Sequence, residues 1–150
     1  PCSGKTTYAQ RHSDEWQAMV FTPDEWQIPV FGDDFGQKEH DERHSAIERL
    51  MWQAATRLLS LGVNVVLDYG FWAKEERDGL RRWALKEGIR CEIHYMDTPL
   101  EEIGRRLEAR NQHTGGKAFR IEFEDILGWA QVFEPPKTEE IEGALRGEQP

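Results

Sequence analysis

"PCSGKTTYAQ" (Pro1–Gln10) is the stretch that decides the fold. Gly4-Lys5-Thr6 is the ending of G-x-x-x-x-G-K-[ST], the loop whose backbone amides cradle nucleotide phosphates. In that frame Pro1 holds the third motif position, and the leading glycine and the strand before it are expected ahead of Pro1. Successive N–H groups at a glycine turn, just before a helix N-terminus, form a nest for phosphate oxygens. The binding set is therefore Pro1, Cys2, Ser3, Gly4, Lys5, Thr6 and Thr7, with Lys5 reaching the β- and γ-phosphates and the Thr6 hydroxyl in a Mg²⁺ shell. Gly-Lys-Thr alone is common in proteins, so the remaining chain has to supply the context.

Outward from the loop, strand and helix signals alternate. A first helix is expected over Thr6–Arg11 and a short strand at "AMVF" (Ala18–Phe21). A second helix follows, with Thr22 as N-cap and Pro23 at its first position. Ile47, Leu50, Met51, Ala54, Ala55, Leu58 and Leu59 recur at three- and four-residue spacing, which predicts a long amphipathic helix ended by Gly62. "VNVVLD" (Val63–Asp68) reads as a strand covered on both faces. Further expected elements are a helix over Lys74–Lys86 stopped by Gly88, a strand at "CEIHYMD" (Cys91–Asp97), and a helix from "TPLEE", where Thr98 and Glu101 have capping-box spacing. The loop "QHTGGKAF" then leads to a last helix over Ile121–Phe133, and a weak strand signal lies in "GALR" (143–146). Such alternation with short connections predicts an α/β fold with a parallel sheet wrapped by helices. Its expected division is a nucleotide-binding domain over 1–136 and a charged tail over 137–150.

Composition removes several function classes. The chain has 150 residues with 28 acids against 19 bases, a formal charge of -9. That balance argues against a polyanionic partner such as nucleic acid. No apolar run reaches the length of a membrane span, and no charged-then-apolar leader opens the sequence. Cys2 and Cys91 make no disulfide framework, so a reduced, cytoplasmic setting is the expectation. His40 and His44 share a helix face, read as solvated rather than metal-binding. Arg77, Arg81 and Arg82 are read in the same way.

"PCSGKTT", "PDEW" after a short strand, "VVLDYGFW", "LEEIGRRLEARN" and "FEPP" occur in an order that resembles the P-loop kinase-like ATP-binding proteins known as predicted kinases. Polynucleotide 5'-kinase, chloramphenicol phosphotransferase and the zeta-toxin kinases are related to that group. The resemblance spans Pro1 to about Pro136. It implies a P-loop NTPase-type three-layer α/β/α fold with strand order 2-3-1-4-5, an ATP·Mg²⁺ site, and a lid, here around 104–120. It also implies transfer of a phosphoryl group to a hydroxyl.

Four residues outside the loop carry the implied chemistry. Asp24 stands where the resembling kinases keep the carboxylate that takes the acceptor's proton, although an acid in a first helical turn also answers the helix dipole. Asp68 ends an apolar strand at the edge where α/β sites form, and it serves either the metal or the acceptor, or begins a turn. Arg106 and Arg110 share a helix face, which the resemblance makes a lid face stabilising the transferred phosphoryl group; ion pairing with Glu102 and Glu108 is the plainer alternative. Gly115 and Gly116 supply the lid with a hinge. Trp26 and Trp72 flank the acceptor side, as walls or as packing; Trp52, Trp83 and Trp129 are expected in the core. The reading is an ATP-dependent kinase with a small hydroxyl acceptor. An ATP-binding regulatory module, a plain NTPase and a polynucleotide 5'-hydroxyl kinase stay open beside it.

Overall fold

The computed structural model describes residues 1–112 and 119–142. In chain order the elements are α1 (Lys5–His12), β1 (Ala18–Phe21), α2 (Pro23–Phe31), α3 (His40–Ser60), β2 (Asn64–Leu67), α4 (Lys74–Lys86), α5 (Leu100–Asn111), α6 (Phe123–Val132) and α7 (Thr138–Glu142). β1 and β2 pair in parallel, with Ala18 opposite Asn64 and Phe21 opposite Leu67. Helix between parallel strands is the α/β pattern that the sequence predicts. No helix among the described residues is long and apolar enough to cross a membrane.

Two compact units form: Pro1–Tyr69 with Thr98–Ile126, and Gly70–Asp97 with the chain from Leu127 onward. In the first unit, Phe21 of β1 is buried with Ile47, Met51 and Ala55 of α3, one helical turn apart from each other. Ala54, Leu58, Val65 and Leu67 pack around them. Leu50, expected on this face, is exposed because it projects to the side of the 47–51–55 stripe. α3 ends in a Schellman motif: Val63 N–H donates to Leu58 C=O, Gly62 N–H donates to Leu59 C=O, and Gly62 takes φ 78°.

In the second unit, Trp72 packs on Trp129 and Phe133, each with ring centroids 5.9 Å apart, and Tyr95 lies against Phe133. Trp72 thus belongs to an aromatic cluster. Arg77 is buried and ion-paired to buried Glu140 of α7, so it is not on a solvated face, which corrects that expectation. The segment Thr138–Glu142 is helical.

A second correction concerns Cys91–Asp97, which pairs with no strand among the described residues. A strand with no neighbour has no ladder to join. The loop glycines Gly115 and Gly116, most of the expected lid turn (113–118) and the "GALR" segment lie outside the described residues.

Candidate functional site

The phosphate loop is shaped by backbone that few residues tolerate. Gly4 caps α1 in the left-handed region at φ 98°, where a β-carbon would be strained. Cys2 also has positive φ, 59°, the kind of non-glycine strain that concentrates at ligand sites. After that turn Tyr8 N–H closes the first helical bond onto Gly4 C=O at 2.9 Å, leaving the amides of the first turn with no partner in the helix. Lys5 and Thr6 open the helix from this point.

Thr6 points into the sheet edge. Its hydroxyl donates to Asp68 Oδ2 at 2.5 Å, and Thr22 donates to the same oxygen at 3.2 Å. Asp68 follows β2 directly, with its N–H on Phe21 C=O, so the parallel pairing of the strands fixes its position. The other carboxylate oxygen, Oδ1, is buried and has no hydrogen-bond partner among the described residues. An orphaned carboxylate oxygen beside a threonine hydroxyl is a hard oxygen donor set, and it fits Mg²⁺. Thr22 was expected to cap α2; its hydroxyl makes no cap and serves Asp68 instead.

α5 brings the arginines to the loop. Gly104 lets α5 approach Phe123, since a β-carbon there would meet the ring at 3.0 Å. Arg106 Nη1 donates to the carbonyls of Cys2 and Ser3, each at 3.4 Å, while its Nε holds Glu102 at 2.7 Å. Hydrogen bonds from Arg105 and then Arg106 hold the Glu102 carboxyl down to about 2. Arg110 places Nη1 3.6 Å from Cys2 Sγ and donates Nη2 to Phe119 C=O at 2.5 Å; its Nε is buried with no partner among the described residues. Thr98 likewise leaves its expected capping box, because α5 starts at Leu100 and the Thr98 hydroxyl donates to Ser3 C=O at 3.0 Å. Asn111, beyond Arg110, donates to Ile121 C=O rather than to its own helix end.

Asp24 sits half-buried in the first turn of α2, and no described residue hydrogen-bonds or ion-pairs with its carboxylate. It lies beside α1, since the next residue, Glu25, accepts from Gln10 Nε2 at 3.0 Å. Pro1–Thr7, Asp24, Asp68, Arg106 and Arg110 therefore gather in one corner of the first unit. The sequence reading passed over Thr22 and Thr98 as site residues, since helix capping already accounted for both hydroxyls.

It also misread His40 and His44. They do share a face of α3, with rings 5.9 Å apart, but that face is turned inward. Asp34, fully buried, accepts from Gln27 Nε2, His40 Nδ1 and Arg43 Nη1 at 2.9, 2.8 and 3.0 Å. Burial pushes the Asp34 carboxyl up, and these three hydrogen bonds outweigh it, leaving it below its ordinary value. No group of three or more His, Cys, Asp or Glu placed to hold a metal ion occurs among the described residues.

A family profile described as an AAA domain, AAA_33, matches residues 1–136. The chain is also 30% identical to a protein of Aeropyrum pernix named "Probable adenylyl-sulfate kinase". That alignment covers 94% of this chain and 76% of the relative.

Proposed function

The chain belongs to the AAA_33 family of P-loop, kinase-like AAA domains, and from that premise we propose that it transfers the γ-phosphoryl group of ATP to a hydroxyl of a small-molecule acceptor. The observation that carries this reading is the pairing of Thr6 with Asp68 beneath the left-handed Gly4 turn, with the unpartnered Asp24 carboxylate close by. A free carboxylate beside the loop suits the proton transfer that a kinase needs and a plain binding module does not.

In the proposed reaction the loop amides and Lys5 hold the phosphates, and Thr6 and Asp68 would hold Mg²⁺. The metal, when bound, neutralises charge on the β- and γ-phosphate oxygens. The acceptor oxygen bonds the γ-phosphorus as the bond to the β–γ bridging oxygen breaks, leaving ADP. The acceptor's proton passes to Asp24. Arg106 and Arg110, already against the loop, supply positive charge to the equatorial oxygens as the transfer proceeds.

The acceptor side favours a small molecule. Acids outnumber bases by 28 to 19, and "EWQIPVFGDDFGQKEHDER" after Asp24 adds more acid than base. A polynucleotide end would meet repulsion there. The relative's name gives its acceptor as adenylyl sulfate, which is also a small molecule.

The test is Asp24→Asn, assayed for labelled phosphate transfer to sugars, nucleosides, amino alcohols and 5'-hydroxyl oligonucleotides. Transfer falls by ~10²-fold or more while ATP affinity is retained, the scale of a lost general base. Undiminished transfer by the variant removes Asp24 from the reaction. Efficient, salt-sensitive labelling of the oligonucleotides moves the acceptor to a polynucleotide.

A further inference from the structure

Asp24 has no bond of its own to fix it, so the placement of α2 decides where its carboxylate points. Thr22 makes no cap to α2, whose exposed side is tied to α1 through Gln10 Nε2 and Glu25 and whose other hold is its buried face. Gln27 is fully buried and lies one turn beyond Asp24, on the same side of the helix. Its amide is held at both ends. Nε2 donates to Asp34 at 2.9 Å, and Oε1 accepts from His44 Nδ1 at 2.8 Å. His44 Nε2 faces Glu48 Oε1 at 3.4 Å.

We propose that Gln27 and His44 are positioning residues for phosphoryl transfer: His44 of α3 clamps Gln27 against Asp34 and thereby sets the Asp24 carboxylate toward the acceptor. This rests on the reading of Asp24 as the proton acceptor. Both His44 ring nitrogens face acceptors, which is the arrangement of an imidazolium donating twice. The groups facing it are Asp24 and Gln27 from α2, and His40, Asp41 and Glu48 along α3. The Glu48 hydrogen bond raises the His44 ring above its ordinary value against the opposing effect of burial, and the charges of Glu48, Asp24 and Asp41 add to the rise. The Asp24 contribution places that carboxylate within electrostatic reach of the clamp. A conserved donor geometry matters more here than bulk, because Gln27 and Asp34 are both fully buried and an unmet amide oxygen is costly.

The experiment follows MgATP hydrolysis by phosphate release, water serving as the acceptor, in His44→Leu, Gln27→Leu, His44→Asn and Asp24→Asn. His44→Leu and Gln27→Leu lower kcat by about tenfold, within the range for a displaced catalytic group, and leave KM for MgATP unchanged. His44→Asn, whose amide still donates to Gln27 Oε1, recovers most of the lost kcat. In the NMR spectrum the His44 ring titrates above its ordinary value, and Asp24→Asn moves that titration down. Undiminished kcat in folded His44→Leu with a slow Asp24→Asn overturns the clamp and leaves the base. Undiminished hydrolysis in Asp24→Asn overturns the base, and the clamp falls with it.

Discussion

Two of the sites where charge is buried among the described residues are finished differently. In the second unit Arg77 donates from Nε and Nη2 to the two oxygens of Glu140 and from Nη1 to the carbonyl of Phe71, while Lys137 N–H fills Glu140 Oε1. Every polar atom of that pair has a partner. At the phosphate loop of the first unit, Asp68 Oδ1 and Arg110 Nε are buried with no partner among the described residues, and none of these residues bonds the Asp24 carboxylate. A closed network of charges holds structure; an open one is arranged for something that arrives later. The two regions should therefore respond to substitution in opposite ways, one in stability and the other in turnover.

The largest effect is expected at the closed pair. Arg77→Ala leaves Glu140 buried without its cation, and breaking a buried pair from one side costs about 3–5 kcal/mol. Thermal unfolding followed by tryptophan fluorescence reads it; a change under about 1 kcal/mol would reduce the pair to a surface contact. The same protein should show an acid limit. The Arg77 hydrogen bond, helped by Lys137 N–H against the effect of burial, lowers the Glu140 carboxyl to about 2. A lowered folded value means the stabilisation is complete above the ordinary range near 4.5 and is lost as pH falls from there toward 2.

The open site should lose ligand rather than stability. Lys5→Ala removes the charge that the proposed reaction sets against the β- and γ-phosphates, and a hydrogen bond to a charged group is worth about 1.5–3 kcal/mol. Calorimetry should show MgATP affinity falling by roughly 10–100-fold with the unfolding midpoint unmoved. Equal affinity in the two proteins would break the comparison at its centre.

What the sequence revealed of these regions follows from range. The loop, β2, the long helix and Gly62 are short-range signals: a motif, a β-branched run, a heptad-like stripe and a C-cap. Each is carried by neighbouring residues, so each was legible. Thr22 and Thr98 were misjudged because a hydroxyl at a helix start has a local use, capping, and a distant one, and only the fold chooses between them. His40, His44 and Arg77 were misjudged for the converse reason. A charged residue on a polar helix reads as solvated unless its partner is visible, and Asp34 and Glu140 lie in segments whose docking no periodicity announces. Cys91–Asp97 has the composition of a strand, but a ladder is a property of two segments.

The smallest effect expected is at Arg110, and it separates two ways of using an arginine beside a phosphate loop. Arg110 already donates to Phe119 C=O and touches Cys2 Sγ, which makes it a brace between α5 and the loop even without nucleotide. Among the described residues its buried Nε has no partner, so part of the guanidinium can answer a further group. If that group is the phosphoryl being transferred, Arg110→Ala weakens an interaction that grows in the transition state. Turnover then falls by about tenfold or more while ATP affinity changes little. If Arg110 is only a brace, its removal loosens Cys2 and Ser3, and the loss appears in ATP binding. Measuring kcat for phosphate release beside nucleotide affinity in the one variant decides between them, since only the first case lowers kcat at saturating MgATP.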